Sequence, residues 1–83
     1  MTEEKFLADC MLGKLARWLR IAGYDTKYLP HSEDRKLIAI ARFEGRVLLT
    51  KDQALFRRAK EIAYLVQAES LGHQLKEILT HFG

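Results

Sequence analysis

Two aspartates, Asp9 and Asp52, each close a short apolar run and are followed at once by a helical pattern. The runs are Lys5-Phe6-Leu7-Ala8 and Val47-Leu48-Leu49-Thr50. A third, Asp34, opens the helical pattern that follows the run between them. In an alternating β/α chain the strands lie parallel, so residues just past their carboxyl ends share one edge of the sheet. Neighbouring strands are ~4.8 Å apart. Two carboxylates so placed can grip one divalent cation, and hard oxygen ligands suit Mg²⁺ or Mn²⁺ rather than zinc. Such an ion neutralises charge building on a scissile phosphate and can deliver a water as nucleophile. Glu69, past the last apolar run, is a candidate fourth carboxylate. The competing reading is local: an aspartate before a helix is a common N-cap, worth ~1 kcal/mol through backbone N–H groups and the helix dipole.

Cations stand beside the acidic positions. Lys14, Arg17 and Arg20 form a stripe downstream of Asp9, and Lys51 directly precedes Asp52. These four are the candidate phosphate contacts of a nucleic-acid substrate. Arg57, Arg58 and Lys60 make a second basic patch that reads as a solvated helix face. Trp18 borders the stripe; it can stack on a base, but the reading preferred is a wedge at the edge of the core. His31 falls near the acidic edge, where an accessory role is open, and His73 and His81 read as surface residues of the last helix. Cys10 has no partner for an internal disulfide and reads as a buried thiol.

The elements that must position these residues follow from spacing. Strand one is Lys5 to Asp9. Helix one covers Met11 to Ala22, with Leu12, Leu15, Ala16, Leu19 and Ala22 on one face, and Gly23 ends it. Strand two is Thr26 to Leu29, stopped by Pro30. Ser32 through Asp34 supply cap residues for helix two, which ends at Gly45. Strand three, Arg46 to Thr50, is apolar on both faces, as a strand covered by helices on both sides should be. Helix three runs from Asp52 to Lys60, strand four from Ile62 to Val66, and helix four from about Ser70 onward. With right-handed crossovers this is an α/β three-layer sandwich with a four-stranded parallel sheet. Order 2-1-3-4 places strands one and three side by side; order 1-2-3-4 would put one strand between Asp9 and Asp52.

The 83 residues suffice for one small domain, residues 1–83, and their 48% hydrophobic content supports a core rather than disorder. A net charge of +3 hints at a polyanionic partner. Met1 leads into Thr2-Glu3-Glu4 without a leader, and no apolar stretch is long enough to span a bilayer, so no membrane partner and cytoplasmic residence are the expectation.

The run from Phe6 to Thr26, centred on Asp9-Cys10-Met11-Leu12-Gly13-Lys14-Leu15-Ala16-Arg17-Trp18-Leu19-Arg20, resembles a known family, and so does Glu44 to Asp52. Together they resemble the PIN-like ribonuclease domain found at the C-terminus of Mut-seven exonuclease proteins. The resemblance implies a PIN-type fold in the 2-1-3-4 order, a Mg²⁺ or Mn²⁺ site at Asp9 and Asp52 with Asp34 as a further acidic residue, and RNA cleavage leaving a 3′-hydroxyl and a 5′-phosphate. It also carries the basic positions onto Lys14, Arg17 and Arg20. The sequence departs from the family by lacking the four-cysteine zinc ribbon and the further strand and helix of a PIN domain of usual size. It therefore reads as a short form or a truncated domain, for which a homodimer or a partner protein is an open expectation. The function expected is a metal-dependent ribonuclease; its rival is a non-catalytic module that binds nucleic acid or protein. A phosphoacceptor domain of the response-regulator receiver kind is disfavoured, because Asp9 is not followed by a second acid and no fifth strand supplies a lysine.

Overall fold

The structure, a computed structural model, describes residues 4–83; Met1–Glu3, on which the expectation about a leader bears, lie outside the described residues. Strand β1 (Lys5–Ala8) leads through a 3-10 turn (Cys10–Leu12) into helix α1 (Gly13–Ile21). Then come β2 (Asp25–Tyr28), α2 (Asp34–Glu44), β3 (Val47–Thr50), α3 (Gln53–Arg58), β4 (Ala63–Leu65) and α4 (Leu71–Phe82). The sheet is parallel throughout, in the order β2-β1-β3-β4. This is the α/β sandwich expected from the alternation, with β1 and β3 adjacent. No helix among the described residues is long and apolar enough to cross a membrane.

Pleating explains the two cores. Successive side chains of a strand point to opposite faces. Phe6, Ala8 and Leu49 face one side, where Leu15 and Leu19 of α1 and Ile78 of α4 cover them. Leu7 and Leu48 face the other, under Leu37 and Ala41 of α2 and Leu55 of α3. All of these are essentially inaccessible to solvent. Each buried leucine stabilises the fold by roughly 1.5–3 kcal/mol relative to exposure. Phe82 at the end of α4 closes the first core edge-on against Phe6, ring centroids 5.1 Å apart.

Three local features differ from the sequence reading. The first helical segment opens as a 3-10 turn. That turn carries Leu12 into the core and leaves Cys10 in solvent, so Cys10 is an exposed thiol rather than a buried one. Ala22, assigned to the buried face of α1, is instead its exposed C-terminal cap residue, where the helix has already ended. Helix α2 has Glu33 at its N-cap with no side-chain cap, so Ser32 and Asp34 do not cap it. Its other end behaves as expected: Gly45 takes the left-handed conformation, φ 66°, which a residue with a Cβ adopts only at a cost.

Candidate active site

Asp9 is set by the end of β1. The register pairs Ala8 with Leu49, and the Asp9 N–H donates to the Leu49 carbonyl at 2.9 Å, so Asp9 lies beside Thr50 of β3. Its side chain is 6% exposed. Oδ1 accepts the Cys10 N–H at 2.7 Å, and Oδ2 accepts the Thr50 hydroxyl at 2.8 Å across a sequence gap of 41 residues. The same Thr50 oxygen accepts the Asp52 N–H at 2.9 Å. One buried hydroxyl therefore ties the Asp9 carboxylate to the backbone that carries Asp52.

Asp52 is the N-cap of α3. Its Oδ1 accepts the N–H groups of Ala54 and Leu55 at 2.9 and 3.2 Å, and its Oδ2 takes no hydrogen bond from the described residues. The capping and acidic-edge readings thus both hold for this residue, each using a different oxygen. Asp34, in the first turn of α2, approaches Arg58 at 3.4 Å. The Cys10 thiol is held above its ordinary pKa, by the Asp9 carboxylate first, then by burial and an Asp9 hydrogen bond, with a further contribution from Asp34. Asp9 and Asp34 therefore project negative potential onto the same point.

The candidate cations separate into three kinds. Lys14 and Arg17 are exposed and make no ion pair among the described residues. Arg20 turns toward β2, where its Nε donates to the Thr26 carbonyl at 2.7 Å, so part of its guanidinium serves the fold. Lys51 donates to the Ala68 carbonyl at 2.9 Å and approaches the exposed Glu69 at 3.4 Å. Glu69 meets Lys51 rather than the aspartates. His31 is exposed in the turn after β2. His73 and His81 are exposed on α4, His73 hydrogen-bonded to Ser70 and His81 against the Tyr64 ring.

Several residues that shape this edge carry no sequence signal. Thr50 reads only as the end of a strand; its role needs β1 and β3 to be neighbours. Glu77 of α4 accepts the N–H groups of Gln67 and Ala68 and the Tyr64 hydroxyl, the last at 2.6 Å. Gln74 donates to the Ala68 carbonyl at 3.1 Å. These two fix the loop against which Lys51 rests. Gly13 has a steric reason: a Cβ there would sit 2.9 Å from the ring of Tyr28, whose hydroxyl donates to the Cys10 carbonyl.

Among the described residues no group of three or more His, Cys, Asp or Glu side chains is gathered tightly enough to enclose a metal ion. What the edge presents is two hard-oxygen donors, the Asp9 carboxylate at the end of β1 and the uncapped oxygen of Asp52 at the start of α3. Mg²⁺ keeps several waters and commonly takes only one or two carboxylates, with substrate phosphates completing the set. The donor set fits that mode and does not form an all-protein cage. A separate groove of about 470 Å³ lies at the opposite edge of the sheet, lined by Arg46, Tyr64 and Phe82, away from all three aspartates.

The sequence matches the Mut7-C RNAse domain over residues 4–83. The chain belongs to that family. It is 33% identical over 87 aligned residues to the human exonuclease mut-7 homolog, an alignment that covers 94% of this chain and 10% of the human protein. The chain thus spans about a tenth of that relative's length. No solved structure matches the chain. Both descriptions are of nucleases, and the Mut7-C match takes in every candidate acidic and basic residue of the carboxyl edge.

Proposed function

We propose that this Mut7-C domain hydrolyses RNA phosphodiester bonds with the aid of Mg²⁺ or Mn²⁺, acting in the cytoplasm. The observation that carries the reading is the Thr50 bridge, which couples the Asp9 carboxylate to the Asp52 backbone on the carboxyl edge of a parallel sheet. Asp9 and Asp52 are the residues that would hold the ion, with Asp34 adding negative potential or orienting a water. When bound, the ion supplies charge neutralisation at the scissile phosphate and a more acidic water. Lys14 and Arg17 hold flanking phosphates, and Lys51 keeps ammonium protons available beside Asp52 while Ala68 anchors it. Arg20 contributes positive potential from a position fixed by Thr26.

The test is RNA cleavage in Mn²⁺ by the wild-type chain and by Asp9→Asn. A large loss in the variant supports the reading; equal activity overturns it.

The second reading is a non-catalytic module that keeps the fold and binds nucleic acid or a protein partner, a second copy included. It is favoured by the lack of a three-carboxylate cluster among the described residues. Thermal melting separates the two. Bound metal raises the melting temperature by mass action, whereas no shift at millimolar Mn²⁺ favours the module.

A further inference from the structure

Next to the acidic edge the chain leaves large apolar side chains in solvent. Met11, on the turn after Asp9, is 66% exposed, and Trp18 on α1 is 45% exposed. Two shallow grooves meet here. One, of about 470 Å³, runs between the Met11–Lys14 segment and the start of α4, and ends at Glu69. The other, of about 290 Å³, lies between Trp18 and the first turns of α4. Leu71 lines both, so they form one track. Beyond Glu69 a third hollow is walled by Lys51 and Gln53, the residues on either side of Asp52. The track therefore runs from the hollow beside Lys51 and Gln53, the sequence neighbours of Asp52, to the indole of Trp18.

Its charge is as informative as its course. Lys14 lines the track and Arg17 neighbours Trp18, and neither is neutralised by an ion pair among the described residues. Free cations beside an accessible indole complement an unpaired strand, which offers an anionic backbone and bare π-faces together. A duplex hides its base faces in the stack and offers none to the indole.

We infer that Trp18 is the stacking platform for an unpaired base of single-stranded nucleic acid, whose backbone follows Lys14 and Arg17 toward Asp9 and Asp52. The inference rests on the proposal that a phosphodiester is bound at that edge. It makes the domain selective for single strands and gives Trp18 a binding role, where the sequence reading preferred a core wedge.

Trp18 is the single tryptophan of the chain, so its fluorescence reports on the platform directly. The experiment titrates a short oligouridylate, and a blunt duplex of equal length, into the Asp9→Asn chain in EDTA, where cleavage is suppressed. Saturable quenching by the single strand and weak response to the duplex are expected. Trp18→Ala should weaken binding, read by oligonucleotide anisotropy, roughly 5- to 150-fold, while Trp18→Phe, which keeps a π-face, retains most of it. Lys14→Gln should lower the salt dependence of binding by about one phosphate contact. Unchanged Trp18 fluorescence at saturation, or equal binding by Trp18→Ala, overturns the inference and leaves this face to a protein partner. Quenching without cleavage by the wild type in Mn²⁺ upholds the platform and removes the nuclease. Cleavage that is equal in wild type and Trp18→Ala below saturation removes the platform and upholds the nuclease.

Discussion

The two edges of the sheet treat charge in opposite ways. At the amino edge, the Arg46 side chain is almost buried and meets its charge partners within the fold. Its guanidinium bridges Glu44 at 2.6 Å and Asp25 at 2.9 Å, and donates to the Phe6 carbonyl at 3.1 Å. Lys27 completes the set by pairing with Glu44 at 2.8 Å. At the carboxyl edge, Asp9 and Asp52 accept only neutral N–H and O–H donors, and neither pairs with a lysine or arginine among the described residues. Charges with all their partners inside the fold hold β1, β2 and β3 together. Carboxylates positioned only by neutral donors keep their charge uncompensated by any cation of the described residues. The contrast separates charge paired within the fold from charge left without a cation partner, and does so without appeal to residue type, since both edges are built from aspartate, glutamate, lysine and arginine.

The largest expected effect is at Asp9. Asp9→Asn is near-isosteric: its oxygen can still accept the Cys10 N–H, its amide N–H must instead donate to the Thr50 oxygen, and the charge is lost, so RNA cleavage in Mn²⁺ should fall by roughly 10²-fold or more while the fold is retained. Loss of fold alongside loss of cleavage would place Asp9 with the structural charges.

Thr50→Val comes next. It removes the donor to Asp9 and the acceptor of the Asp52 N–H in a fully buried position. Residues that orient ligands are worth roughly 10- to 100-fold in metal affinity, and the orphaned N–H costs about 1–3 kcal/mol of stability. Mn²⁺ titration and denaturant unfolding read the two separately, and Thr50→Ser should restore both.

Arg46→Met should act on the other edge alone. Losing charge-assisted bonds to two partly exposed carboxylates costs about 2 kcal/mol, which lowers the melting temperature by roughly 8–16 °C for a domain of this size. Cleavage per folded molecule should be unchanged below the transition.

The smallest effect is the acid limb of stability. Hydrogen bonds from Arg46 first, then Lys27, hold the Glu44 carboxyl down to about 2. A depressed folded pKa contributes stability that is present above the ordinary carboxylate value and lost as pH falls through the folded one. Melting temperature should therefore decline as pH drops from about 4.5 toward 2, and Glu44→Gln should flatten that decline. Tyr64 works at the other extreme. Burial, then Glu77, pushes its hydroxyl up to about 12, so its contribution is complete below pH 10 and lost as pH rises through 12.

How much of this was readable in advance depends on range. The alternation of elements, the buried faces of Leu15, Leu19 and Leu37, the capping place of Asp52 and the stop at Gly45 are local signals, and the structure shows each. The adjacency of β1 and β3 is not local; both orders satisfied the pattern, and the family resemblance favoured the observed one. Thr50 was silent because its two partners are defined only by that adjacency. Arg46 was silent for the same reason, its guanidinium reaching Asp25 and Phe6 from a position that reads as the start of a strand. Cys10 was misread because a 3-10 turn advances side chains by about 120° per residue rather than 100°. That offset puts Leu12 inside and the thiol outside. Trp18 reads as core by residue type, yet it lies where α1 and α4 leave a groove between them.

The central claim is that the carboxyl edge, with its unneutralised acids, takes up a divalent cation that the closed amino edge refuses. Anomalous diffraction from a crystal grown in Mn²⁺ tests it most directly. The account predicts one peak contacted by carboxylate oxygens of both Asp9 and Asp52, and none beside Glu44 or Asp25. A saturated crystal with no peak at Asp9 and Asp52, their oxygens still held only by Cys10, Thr50, Ala54 and Leu55, would contradict it.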